Sequence, residues 1–119
     1  MAQILVIDDE PSVLSSIEQI LKTAGHNVKL ATNGLEGIKK FQTEPADVVI
    51  IDIFMPDYDG IQLISHFRKL PSNLPIIAMS GNPKGNTLEV ARKLGVVAAI
   101  QKPFAMDELL NAVNEALKK

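Results

Sequence analysis

Five short apolar runs punctuate the chain, each followed by an amphipathic stretch: Ile4–Ile7, Val28–Ala31, Val48–Ile51, Ile76–Met79 and Ala98–Ile100. Their alternation with helical stretches is the pattern of parallel strands joined by helical crossovers. The runs at Ile4, Val48 and Ile76 are nearly continuous in Ile, Val, Leu, Ala and Met, which predicts central strands covered on both faces. The run at Val28 is broken by Lys29 and reads as an edge. Between the runs, Ile17, Ile20, Leu21 and Ala24 recur at helical spacing, with Pro11 in the first turn and Gly25 as a stop. Leu35, Ile38 and Phe41 predict a second helix, and Ile64 and Phe67 a third. Val90, Ala91 and Leu94 predict a fourth, stopped by Gly95, and Leu109, Leu110, Val113 and Leu117 a fifth. Such elements give one α/β layered unit with right-handed crossovers. There is no internal repeat, low-complexity tract or linker, and the loosest segment is Gly81 to Asn86.

At 119 residues the chain suits one compact domain and leaves no room for a second. The formal net charge of -2, with Lys and Arg scattered along the chain, argues against direct nucleic-acid binding. The absence of cysteine excludes disulfides, thiolate metal sites and cysteine nucleophiles together. The opening run is too short for a secretory signal, and no run approaches the ~20 apolar residues of a membrane span. The expected location is the cytoplasm.

Ligands of open parallel sheets bind beyond the carboxyl ends of the strands. There the sequence places Asp8, Asp9 and Glu10 after the first strand, Asp52 after the third, Ser80 and Gly81 after the fourth, and Lys102 and Pro103 after the fifth. Taken singly, most have a plain role: Asp8 or Asp9 caps the helix begun by Pro11, Ser80 is a loop hydroxyl, Lys102 is solvated. Asp52 is harder to dismiss, because it closes an apolar run predicted to lie mid-sheet, where an unpaired charge costs several kcal/mol or shifts its pKa. Carboxylates crowded together repel by about 1 kcal/mol per pair at ~4 Å in water, and by about 4 at an effective dielectric of ~20. Lys102 supplies a single positive charge, so a bound divalent ion is the natural complement. Oxygen ligands with no His or Cys nearby select a hard ion, and Mg²⁺ suits a shell completed by water and a phosphoryl oxygen. An aspartate so placed is suited to attack a phosphoryl donor and form an acyl phosphate, with Lys102 neutralising charge and the Ser80 hydroxyl donating to a phosphoryl oxygen.

Four motifs stand in order: VIDDE, VVIIDIFMPDYDG, AMSG and QKPF. Across its whole length the chain resembles response-regulator receiver domains of two-component signalling, in particular the stand-alone chemotaxis type. The resemblance implies one receiver domain over residues 1–119, with a single doubly wound five-stranded parallel sheet, (βα)5 and flavodoxin-like, in strand order 2-1-3-4-5. It implies Asp52 as phosphoacceptor, Asp9 as a direct Mg²⁺ ligand, Asp8 as its support and the Phe54 backbone carbonyl as a further ligand. Ser80 matches the hydroxyl that turns toward the phosphoryl group, and Lys102 the lysine that contacts it. A cis Lys102–Pro103 bond follows, with Pro56 and Gly60 shaping a loop and Asp59 a candidate cap for the third helix. The implied partners are a histidine kinase or phosphotransfer protein and a downstream protein target, reached without an output domain after Lys119. A monomer or weak dimer is expected, and no enzyme activity beyond self-phosphorylation and its reversal.

One position departs from the family's pattern. Ala99 stands where Tyr or Phe is common, three residues before the lysine, so the aromatic half of the usual hydroxyl–aromatic coupling is absent. Phe54 and Asn82 occupy positions that resemble those tuning hydrolysis; Phe54 either hinders the attacking water or packs partly buried. Val13 and Leu14 either belong to the core or leave one side chain exposed to meet a kinase helix pair with Pro103 and Phe104. His26 and His66 read as surface residues. Two other readings stay open: a flavodoxin-like cofactor binder, which lacks its phosphate cradle here, and a receiver-like module that does not switch or serves as a phosphate sink.

Overall fold

The computed structural model describes residues 2–54, 60–70, 73–81 and 87–118. Strands and helices alternate as β1 (Gln3–Ile7), α1 (Pro11–Thr23), β2 (Asn27–Ala31), α2 (Gly34–Thr43), β3 (Val48–Asp52), α3 (Gly60–Arg68), β4 (Ile76–Ser80), α4 (Thr87–Lys93), β5 (Ala98–Gln101) and α5 (Met106–Leu117). The strands form one parallel sheet in the order β2-β1-β3-β4-β5. Each apolar run of the sequence lies inside its strand. All of β3 and β4 is buried, whereas β2 is partly exposed along most of its length, as an edge should be.

Successive strand residues face opposite sides of a sheet. Ile4, Val6, Val48, Ile50, Ile77, Met79 and Ile100 pack on one side with Leu14, Ile17 and Leu21 of α1 and Leu109 and Val113 of α5. Leu5, Ile7, Val49, Ile51, Ile76 and Ala78 pack on the other with Leu63, Ile64 and Phe67 of α3 and Ala91 of α4. Carried past the strand ends, the alternation puts Asp8, Asp52 and Lys102 on the α1/α5 side together. The ladder supports this, since Asp8 N–H still donates to the Ala31 carbonyl at 3.0 Å and Lys102 N–H to the Ser80 carbonyl at 2.8 Å. Asp52 and Ser80 are therefore the last rungs of their strands, paired with Met79 and Gln101, so Ser80 is not the loop hydroxyl of its plain reading. A polar side chain does not end backbone pairing while both neighbouring strands continue.

Four helical stripes differ from expectation. Leu35 is 57% exposed; α2 turns Gly34, Gly37, Ile38 and Phe41 inward instead. The reason is close approach, because a Cβ on Gly37 would lie 2.4 Å from Ile7 Cδ1. Val90 of α4 is exposed, leaving Ala91 buried and Leu94 partly so. Leu117 of α5 is also exposed, and the buried row is Leu109, Ala112, Val113 and Ala116. In α1, Ala24 is the exposed C-cap rather than part of the stripe. The predicted stops hold: Gly25 and Gly95 adopt φ of 95° and 85°, in the left-handed region that glycine enters without penalty. No described helix is long and apolar enough to cross a membrane.

Candidate functional site

Asp8 is fully buried at the end of β1. Its Oδ1 accepts from Glu10 N–H at 2.9 Å and its Oδ2 from Lys102 Nζ at 2.7 Å. Asp52, 2% exposed, is held in the same way: Oδ1 accepts from Phe54 N–H at 3.0 Å and Oδ2 from Lys102 Nζ at 3.2 Å. Glu10 Oε1 is 3.4 Å from the same ammonium, with its side chain 58% exposed. Asp9 is partly exposed. Each of the four acids Asp8, Asp9, Glu10 and Asp52 offers a carboxylate oxygen within 4.8 Å of the others'. Ser80 is buried at the end of β4, and the peptide bond between Lys102 and Pro103 is cis, as expected. The chain thus brings the predicted carboxylates and the lysine together from β1, β3 and the segment after β5.

The expectation that Asp8 or Asp9 caps α1 is corrected. Glu10 is the N-cap residue, without a side-chain cap bond, and Pro11 opens the helix. The Asp8 carboxylate is committed to Glu10 N–H and Lys102 instead, because the helix begins three residues beyond it, at Pro11.

Burial pushes the Asp52 carboxyl up to about 6, against the lowering effect of the Phe54 N–H; the negative charge of Asp8 raises it further and Lys102 lowers it. For Lys102, burial pulls the ammonium down, but its hydrogen bond to Asp8 and the charges of Asp52 and Asp8 outweigh that, so it is raised. The two shifts look opposed for one ion pair: the carboxylate is disfavoured while the ammonium is favoured. They agree once the stoichiometry is counted, because one cation serves several anions and each acid receives only part of it. Among the described residues, four carboxylates against one ammonium leave an excess of negative charge, and the donors at hand are oxygens without His or Cys. That donor set fits a hard divalent cation such as Mg²⁺.

A model of the response regulator receiver domain family matches residues 4–114. The chain belongs to the receiver-domain family of two-component response regulators. This receiver is 30% identical over 118 residues to the transcriptional regulatory protein GlrR of Escherichia coli, covering 99% of the chain and 27% of that relative. It is 29% identical over 117 residues to the alkaline phosphatase synthesis transcriptional regulatory protein PhoP of Bacillus subtilis, covering 98% of the chain and 49% of that relative. The chain thus spans about a quarter to a half of the curated relatives it matches. Among solved structures, a response regulator receiver domain protein of Clostridium thermocellum superposes with a TM-score of 0.92 at 31% identity, covering 99% of this chain and 95% of that one. A CheY-like receiver of Methanospirillum hungatei gives 0.92 at 30% identity, covering 99% and 94%.

Around the receiver's pocket, Phe54 is 41% exposed, so it is not the partly buried packing residue that was one reading of it. Leu14 is core, while Val13 is only half-buried and lines a groove with Ile20, Pro103 and Phe104. Ala99 is half-buried in β5 opposite Ala78. Gly60 opens α3 tight against the end of β3, because a Cβ there would lie 2.2 Å from Ile53 Cα. His26 and His66 lie away from the pocket but are not free surface residues. His26 Nδ1 accepts from Ala2 N–H at 3.2 Å, and His66 meets Phe67 edge-on at 5.6 Å. Pro56, Asp59 and Asn82, and the segment Gly81 to Asn86 apart from Gly81 itself, lie outside the described residues. The contact of Glu10 with Lys102 was not anticipated; the third acid of VIDDE was its only signal.

Proposed function

We propose that this receiver, as one domain over residues 1–119, takes a phosphoryl group onto Asp52 from a histidine kinase or phosphotransfer protein, and that this changes which protein it binds. The observation that carries the reading is a buried Asp52 whose Oδ2 meets Lys102 Nζ at 3.2 Å in a pocket with more acid than base. An Asp52 oxygen bonds to phosphorus as the donor's P–N or P–O bond breaks, its electron pair leaving with the donor. No base is needed, since a carboxyl at about 6 is mostly ionised at neutral pH. Phe54 N–H on Oδ1 fixes the direction the carboxylate faces. Lys102 neutralises charge on the transferred group, and the Ser80 hydroxyl donates to one of its oxygens. Asp9, Asp52 and the Phe54 carbonyl, supported by Asp8, would hold Mg²⁺, whose chemistry there is to offset charge on the phosphoryl oxygens.

On this reading the chain processes no separate substrate; it phosphorylates itself and loses the group by hydrolysis. It works in the cytoplasm as a monomer or weak dimer, on a downstream protein target and not on nucleic acid directly. The groove beside Val13 and Phe104 suits the donor's helices. A second reading, a phosphate sink that does not switch, is favoured by Ala99, whose methyl has no rotamer to report. Incubation with Mg²⁺ and acetyl phosphate, followed by intact mass, tests the chemistry: a gain of one phosphoryl group that disappears in Asp52→Asn is expected. No gain on folded protein, or a gain surviving that substitution, overturns it. Proteins retained by the Mg²⁺–beryllofluoride form and not by the apo form distinguish switch from sink.

A further inference from the structure

Glu10 is a poor choice for the position it holds. N-cap residues favour Ser, Thr, Asp or Asn, whose short side chains bond the helix's first free N–H groups. Glu10 has φ -99° and ψ 111° and makes no such bond. Its backbone is nonetheless pinned on both sides. The N–H donates to Asp8 Oδ1 at 2.9 Å, and the carbonyl accepts from Val13 and Leu14 N–H at 3.1 Å each. A rigid backbone therefore carries a solvent-facing charge, 58% exposed, whose nearest cation among the described residues is Lys102 Nζ at 3.4 Å. Asp8 and Asp52 hold the same ammonium more closely, at 2.7 and 3.2 Å, and both are buried. Of these three acids Glu10 is the most distant from the ammonium, and its exposure turns its charge toward the mouth.

The mouth opens onto the groove of about 510 Å³ bounded by Val13, Ile20, Pro103 and Phe104, where Glu10 and Lys102 are the charged residues among those described. A phosphodonor reaching Asp52 from this side passes Glu10 while the donor still bears its full negative charge. We infer that Glu10 is a specificity-determining residue that selects phosphodonors by charge, holding back small dianions at the pocket mouth. The inference rests on the phosphoacceptor reading of Asp52. A fixed charge of one sign changes the logarithm of an encounter rate in proportion to the charge of what approaches, and salt screens it.

The test compares Glu10→Gln with the wild-type chain, both folded by circular dichroism and both in saturating Mg²⁺, using acetyl phosphate, a dianion, and phosphoramidate, a monoanion. Phosphorylation by acetyl phosphate is expected to accelerate roughly three- to tenfold at low salt. Phosphoramidate should gain only about the square root of that factor, and both gains should shrink as ionic strength rises. An equal gain with both donors, or one independent of salt, overturns the inference and places Glu10's effect on Lys102 or the metal. Unchanged rates overturn it as well. If the wild-type chain accepts phosphoryl from neither donor, the acceptor assignment of Asp52 fails first and the inference falls with it.

Discussion

The two ends of the sheet handle charge in opposite ways. At the amino end of the strands, Lys22 pairs with Glu18 at 3.1 Å and Lys29 with Glu44 at 2.8 Å, one cation to each anion and every side chain at least 33% exposed. At the carboxyl end, one lysine faces several acids, two of them buried. Among the described residues a cavity of about 560 Å³ opens at the amino end, lined by Lys22, His26, Lys29 and Glu44, against about 510 Å³ for the groove beside the acids. Size alone does not single out the acidic end. Exposed, balanced pairs contribute little and ask for nothing more, whereas buried, unbalanced acids call for a ligand.

That contrast is broken most directly at Lys102. Lys102→Met leaves Asp8 and Asp52 buried without their cation and should cost about 3–5 kcal/mol in urea unfolding without metal. Added Mg²⁺ should restore more stability to this variant than it adds to the wild-type chain. A loss below about 1 kcal/mol would mean the pocket is as well balanced as the amino end.

Asp52→Asn should act in the other direction when metal is absent. The folded carboxyl sits near 6 against an ordinary 3.8, so the folded state holds its proton more tightly than the unfolded chain. Above pH ~6 the ionised group penalises the fold, by about 1–3 kcal/mol for a shift of this size. The penalty fades as pH falls and is gone below pH ~4, where both states are protonated. The variant should therefore be the more stable protein at pH ~7.5 and show no advantage at pH ~3.5, as thermal melts in chelator would show. An advantage that persists in acid would point to packing.

Phe54→Asn should shorten the lifetime of phosphoryl-Asp52 by about two- to tenfold, on the hypothesis that the exposed ring obstructs the attacking water; an unchanged lifetime removes that role. The smallest effect belongs to the amino end. Lys29→Ala, breaking an exposed pair, should cost at most about 1 kcal/mol and leave Mg²⁺ affinity untouched, read by urea unfolding and calorimetry.

The strands and the buried position of Asp52 were legible because a continuous apolar run that ends in an acid fits little besides a buried strand delivering its charge to the sheet's carboxyl edge. Leu35 misled because the inward face of α2 is marked by Gly34 and Gly37, and a glycine that permits close packing leaves no hydrophobic signal. Alanines hid the buried row of α5 for the same reason: Ala112 and Ala116 fill it while Leu117 points outward. Asp9, Asp52 and Lys102 could be placed on one edge by topology. The division of labour between Asp8 and Glu10 could not, since adjacent acids differ only in the backbone direction at the start of α1.

Lys102 is a joint between two kinds of bonding. Its main chain closes the β4–β5 ladder on the Ser80 carbonyl, and its ammonium answers to β1 and β3. Two residues further on, Phe104 packs at the groove shared with Val13. A protein resting against that ring is thus separated by only two peptide units from the cation that Asp8 and Asp52 share.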